Sequence, residues 1–272
     1  FEHQYSSWYG KPITPEQRRQ AYQMLLEHRL NPTNIYSKNP QPSKEDIPFC
    51  VEHGLNALNL NFVGGNKNDA VRAEIAGIIR EYESYLKQKG WWDVAYVYGF
   101  DELGAGKYPD LRDMFGWLKK EFPDLPRMST VLPNPELKGY VDYWVPLVAN
   151  LDYEETRQYV KDGDQVWWYI CCGPERPFPN WFVDYPMMDP RILMWMSWKY
   201  EVPGFLYWTI NRWHSNLQDR TPDIQKQIDA GKRWPEVPWK TQTSASFNGD
   251  GHLVYPGPGG KLLSSVRLEA VR

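Results

Sequence analysis

Cysteine is scarce. Cys50 and the neighbours Cys171 and Cys172 are the three among 272 residues, too few for a disulfide framework and without the spacing of a zinc site. The five histidines, at positions 3, 28, 53, 214 and 252, are scattered, and no HExxH or paired Cys-x-x-Cys accompanies them, so no metal and no cofactor is expected. No apolar run approaches the roughly 20 residues that cross a bilayer, and no leader is visible at the start. Because the chain opens on Phe1, it is expected to be a mature form or an excised piece. Excess charge is lacking too: the net value is -3 with no basic run, which excludes a general attraction to nucleic acid or to an anionic membrane. A Gly-x-Ser-x-Gly elbow, a glycine-rich phosphate loop, repeats and low-complexity tracts are also missing, which argues against a serine hydrolase and a dinucleotide fold.

Aromatic residues are abundant. The chain carries 14 Trp and 18 Tyr, with 15% aromatics overall, at a mean hydropathy of -0.66. Rings with a polar handle suit wet binding sites, and their faces stack on the C–H faces of sugars, although many will simply fill the core. A hydrophobic content of 42% lets a chain of this length bury one sizeable core, so a single domain over 1–272 is expected.

Short β-type runs alternate with helical ones. Phe1–Tyr5 reads as a first strand, followed by a helix opened by Thr14 with Pro15 at its first position. Asn34–Tyr36 reads as a second strand, Ser43–His53 as a short helix and Leu55–Val63 (LNALNLNFV) as the third strand. Asn68 caps a long helix to about Lys89, with Val71, Ile75, Ile78, Ile79, Tyr82 and Tyr85 at helical spacing. Further strands are expected at 94–100, 127–131, 143–148, 165–171 and 204–210, with helices at 110–121, 152–161 and 190–200 between them. Eight strands with intervening helices match an α/β fold of the (β/α)8 TIM-barrel type. Residues 211–260 read as a long loop and turn region over one mouth, and 264–272 as the start of a helix.

The stretch YVYGFDELGAGKY, 96–108, runs an aromatic strand into adjacent carboxylates and then into glycines. In a parallel barrel the strand C-termini form the catalytic mouth, so Asp101 and Glu102 are the candidate catalytic pair. The bland alternative is a helix cap or an ion pair with Lys107 or Arg112. An apolar strand end would desolvate these carboxyls and favour a general acid. Consecutive side chains on an extended strand point to opposite faces, a poor arrangement for an acid and a nucleophile about 5 Å apart. A different division suits them better: Glu102 protonates the leaving oxygen, and Asp101 holds a substrate group that itself attacks the anomeric carbon.

GFDE after an aromatic strand, the WWY of 167–169, GFLYWTINRW of 204–213, and GDGHLVYPG of 249–257 followed by SSVRLEAVR of 264–272 together resemble the catalytic barrel of glycoside hydrolase family 123, over about 7–272. The resemblance implies a (β/α)8 β-N-acetylgalactosaminidase acting on a glycan, retaining configuration through a neighbouring acetamido group and an oxazoline-type intermediate. On this chain it implies Glu102 as general acid/base and Asp101 as the residue that orients the acetamido N–H. Leu103 stands where a proline is expected, and the usual N-terminal β-sandwich has no counterpart in these residues. A secreted or periplasmic location accords with such an activity.

Tyr169 could donate to the acetamido oxygen, Trp208 could floor the sugar pocket, and Asn211 and Trp213 lie just past the last strand, where loop residues face the mouth. Rings within a helix, such as Trp195 and Trp198, are weaker candidates, as are His3 and His214. Glu175 offers a rival: with Glu102 it would form an ordinary double-displacement pair if the carboxyls lie about 5 Å apart. A glycan-binding barrel without turnover is the alternative outside enzymology. The vicinal Cys171 and Cys172 read as buried thiols.

Overall fold

The computed structural model describes residues 2–65, 67–213, 229–231, 242–244 and 247–272. They fall into two compact units, one drawn from Phe1–Leu30, Ile170–Met196 and Tyr207–Arg272, the other from Asn31–Tyr169 and Ser197–Leu206.

In the first unit the chain starts with two helices, α1 (Glu2–Tyr9) and α2 (Pro15–Glu27). The strand expected at the start is therefore a helix. Tyr5 and Trp8 are both buried, a spacing of three that five residues are too few to distinguish from alternation. Thr14 caps α2 as a reciprocal box: its hydroxyl accepts from the Gln17 amide at 3.2 Å, and the Gln17 side chain accepts from the Thr14 amide at 3.1 Å.

The second unit carries α3 (Ile47–Glu52) and a parallel sheet of β1 (Leu58–Val63), β2 (Ala95–Gly99), β3 (Arg127–Ser129), β4 (Tyr143–Trp144) and β5 (Gln165–Val166), in that spatial order. Every residue of β2 is buried, as strands covered on both faces require. Between β1 and β2 runs α4 (Asp69–Lys89), capped by the Asn68 side chain on the Val71 amide at 3.0 Å and ended by Gly90 in the left-handed region. Its buried face is Ile75, Ala76, Ile79 and Leu86. Between β2 and β3, α5 (Tyr108–Glu121) buries Leu111, Met114, Phe115 and Leu118. Each such fully buried side chain contributes about 1.5–3 kcal/mol. Between β4 and β5 lies α6 (Tyr153–Lys161), capped by Asp152.

Residues 34–36 form no strand. The Asn34 side chain accepts from the Tyr36 amide at 3.0 Å, a local turn that competes with a ladder. The carbonyls of Asn34 and Ile35 are met by the Asn59 side chain, at 3.2 and 3.1 Å, instead of by a strand's backbone. The expected strand at 165–171 divides at Trp167 into β5 and β6 (Trp168–Ile170), and β6 pairs with β7 (Phe205–Tyr207). The Trp167 ring lies against Gly204, where a β-carbon would sit 1.9 Å from it. An α/β fold with a five-stranded parallel sheet stands where eight regular strands were expected.

The first unit resumes at Ile170 and takes in α7 (Asp189–Lys199) as far as Met196. Two short antiparallel pairs follow: β8 (Gln242–Ser244) with β9 (Phe247–Asn248), and β10 (Tyr255–Pro256) with β11 (Leu262–Leu263). Much of the expected 211–260 loop lies outside the described residues. The last helix, Val266–Val271, is anchored by buried Arg267, which donates to the Trp181 carbonyl at 2.5 Å, the Gly249 carbonyl at 2.9 Å and the His252 carbonyl. Among the described residues no helix is long and apolar enough to cross a membrane.

Candidate active site

The site begins where β2 leaves the sheet. Gly99 passes so close to β1 that a β-carbon would lie 2.4 Å from the Val63 carbonyl oxygen, so only glycine fits. The Phe100 amide donates to that same oxygen at 3.1 Å, and the Ser129 hydroxyl donates to the Phe100 carbonyl at 2.8 Å. Phe100 and Glu102 then adopt left-handed backbone, with φ of 54° and 48°. Neither is glycine, and each such turn costs about 1–2 kcal/mol. The buried Phe100 ring against Phe115, 5.3 Å between centroids, helps offset it.

After this double turn the two carboxylates meet different hydroxyls. Asp101 Oδ1 accepts from the Tyr98 hydroxyl at 2.5 Å and the Thr130 hydroxyl at 2.9 Å, while Oδ2 accepts from the Tyr36 hydroxyl at 3.0 Å. Glu102 Oε1 accepts from the Tyr169 hydroxyl at 2.8 Å. Tyr98 is 0% exposed, and burial, with the neighbouring Tyr36 and Asp101, pushes its phenol well above the ordinary range. It therefore keeps its proton and stays a donor to Asp101. The rings of Tyr36, Phe62 and Tyr98 pack edge-on or tilted within 5.4–6.0 Å of one another, which fixes where the two phenols point.

Thr130, just past β3, joins both halves. Its oxygen accepts the Glu102 amide at 2.6 Å and donates to Asp101. Replacing it by Val keeps the shape and removes both bonds, whereas Ser keeps them. The expected result is at least a tenfold loss of activity for Thr130→Val and near-normal activity for Thr130→Ser, at matched melting temperatures. Equal activity of the two variants would mean that the hydroxyl does not position the pair.

Sequence reasoning missed Tyr36, Tyr98 and Thr130. Tyr98 was legible only as strand filling, and Tyr36 and Thr130 reach Asp101 from chain positions that nothing local connects to it. The expected apolar surround of the carboxylates is also not there, since both are exposed. Neither basic residue weighed against the pair engages it: Lys107 meets Asp110 at 3.2 Å and Arg112 meets Glu136 at 3.4 Å.

The remaining expected residues, apart from Trp198, belong to the other unit. Trp208 is half-buried and donates its indole N–H to Asp250 Oδ1 at 2.9 Å. Burial raises the Asp250 carboxyl above its ordinary value. Asn211 is 0% exposed and bridges His252 through the backbone. Trp213 is 6% exposed, packs against Tyr5, Trp8 and Tyr9, and donates to the Val254 carbonyl at 2.8 Å. Both were expected at a sugar-facing loop, but the chain turns inward there to close the unit's core. Glu175 and His3 are exposed, and His214 lies outside the described residues. Arg176, the neighbour of Glu175, meets Asp189 at 3.2 Å. Trp195 and Trp198 stand exposed on α7. Among the described residues no group of three or more His, Cys, Asp and Glu is arranged to hold a metal.

No curated protein matches the chain. Fourteen chains of solved structure do. One is a family 123 glycoside hydrolase from Clostridium perfringens, described in a study of glycolipid glycan hydrolysis. The likeness has a TM-score of 0.62 at 13% identity, and covers 99% of this chain and 56% of the other. This chain thus spans little more than half the length of that enzyme. The family model for the glycoside hydrolase 123 catalytic domain matches residues 60–272, most of the chain and all of the Asp101–Glu102 region. The chain belongs to glycoside hydrolase family 123.

Proposed function

We propose that residues 1–272 form a (β/α)8-type catalytic domain that removes a terminal β-linked N-acetylgalactosamine with retention, the substrate's own acetamido group acting as nucleophile. The observation that carries this reading is that the adjacent Asp101 and Glu102 carboxylates are held by different hydroxyls. Glu102 gives its proton to the glycosidic oxygen as the bond to the anomeric carbon breaks. The acetamido oxygen attacks that carbon, and Asp101 accepts the acetamido N–H, so the positive charge developing on the closing oxazoline ring meets a carboxylate already oriented by three donors. Water then opens the ring with Glu102 as base, and two inversions give net retention. Tyr169 orients Glu102 and is assigned to meet the acetamido oxygen as the sugar binds. No cofactor enters this scheme.

A thiazoline mimic of the cyclised intermediate tests it. It should inhibit competitively, well below the KM of an aryl N-acetylgalactosaminide, and an aryl galactoside without the acetamide should not be cleaved. Equal cleavage of the galactoside, with activity abolished in Glu175→Gln, would select double displacement instead. Sugar binding with no hydrolysis over a panel of aryl glycosides would select a non-catalytic receptor.

A further inference from the structure

The chemistry above leaves Cys171 and Cys172 unused. They follow β6 and were expected as buried thiols, yet Cys172 is exposed and Cys171 half-buried. Their sulfurs stand 3.8 Å apart. The backbone beneath is fixed: the Cys171 amide donates to the Gly173 carbonyl at 2.8 Å, and the Cys171 carbonyl accepts from the Asn180 side chain at 3.1 Å. Asn180 is itself buried and also donates to the Pro174 carbonyl at 3.0 Å.

Two geometric facts decide what such a pair can take. Adjacent residues across a trans peptide have Cα atoms about 3.8 Å apart, below the roughly 4.4 Å at which ordinary disulfides begin, so direct closure is strained. The sulfurs stand 3.8 Å apart, well beyond the roughly 2.0 Å of a direct S–S bond, which leaves room for one atom bonded to both. A bridging atom fits where a direct bond does not. A divalent ion would need further ligands, and the described residues supply no cluster of three. A trivalent arsenic carrying one organic group is complete with two sulfurs. We propose that Cys171 and Cys172 form a dithiol site for monosubstituted trivalent arsenicals. With an arsenoxide, both As–O bonds are replaced by two As–S bonds, and the two thiol protons leave with the oxygen as water. Nothing is oxidised or reduced.

The probe is phenylarsine oxide, added to the folded protein and followed by intact mass. One equivalent should bind, resist excess 2-mercaptoethanol and leave with 2,3-dimercaptopropanol, because the second thiolate raises the effective concentration at the first. Cys172→Ser, a change at an exposed side chain, should weaken binding about a hundredfold. Cys50→Ser, at a buried position, should not. Absence of the adduct in the native protein, its removal by the monothiol, or full retention in Cys172→Ser would overturn the proposal. The readout needs no glycosidase activity, so it stands or falls separately from the function proposed above.

Discussion

Replacing Glu102 by Gln should lower kcat/KM for an aryl N-acetylgalactosaminide by about 10²–10⁴, the usual worth of a positioned general acid/base. The substitution is nearly isosteric, and the amide oxygen can still accept the Tyr169 hydroxyl that now lies 2.8 Å from Oε1, so the loss should fall on chemistry and leave the fold intact. The effect should also depend on the leaving group. Phenols that depart readily need little protonation and should retain more of their bond-breaking rate, whereas poor leaving groups should lose most of it. A series of aryl glycosides graded by phenol acidity measures this. A loss that is the same across the series, or no loss, would remove Glu102 from the acid role.

Asp101→Asn should be comparably severe for a different reason. The carboxylate is all acceptor, and its oxygens already face three hydroxyl donors. An amide must turn an N–H₂ toward either Tyr36 or the Tyr98–Thr130 side, which breaks part of the cradle and removes the acceptor proposed for the acetamido N–H. A loss of about 10²–10³ in kcat is expected, the scale seen when one preorganised partner of a developing charge is deleted. If the Tyr98 phenol, 0% exposed, is left without an acceptor, stability should also fall, by about 1–3 kcal/mol. The two losses separate by measurement. A thiazoline mimic should bind the variant far more weakly than the native protein, while a mere loss of stability would lower the melting temperature and leave inhibitor affinity in the folded fraction unchanged.

The helices were the most legible part of the chain. Thr14 with Gln17, Asn68 with Val71, and Asp152 with Glu154 and Glu155 are side-chain caps within three residues of their targets, and that short reach is why local sequence discloses them. Long amphipathic runs such as α4 are equally local. Strands were harder: 1–5 were too few to fix a period, and 34–36 carried strand-like composition while the Asn34 side chain bonded locally. What covers an edge depends on distant residues, here Asn59, and no window of neighbours contains it.

The sequence by itself determined that two acids follow an aromatic strand, and that the segments around them fall in the order of the family 123 catalytic domain. Their adjacency is a covalent fact. Only the tertiary structure decided that they part company. The left-handed turns at Phe100 and Glu102 cost energy in isolation and persist because the Val63 carbonyl, Ser129 and Thr130, far away in sequence, hold the backbone there. Long-range packing also chose Tyr36 and Tyr169 as partners of the pair. A chain read in order cannot show which hydroxyl will meet which carboxylate, because that depends on distances set by the folded sheet.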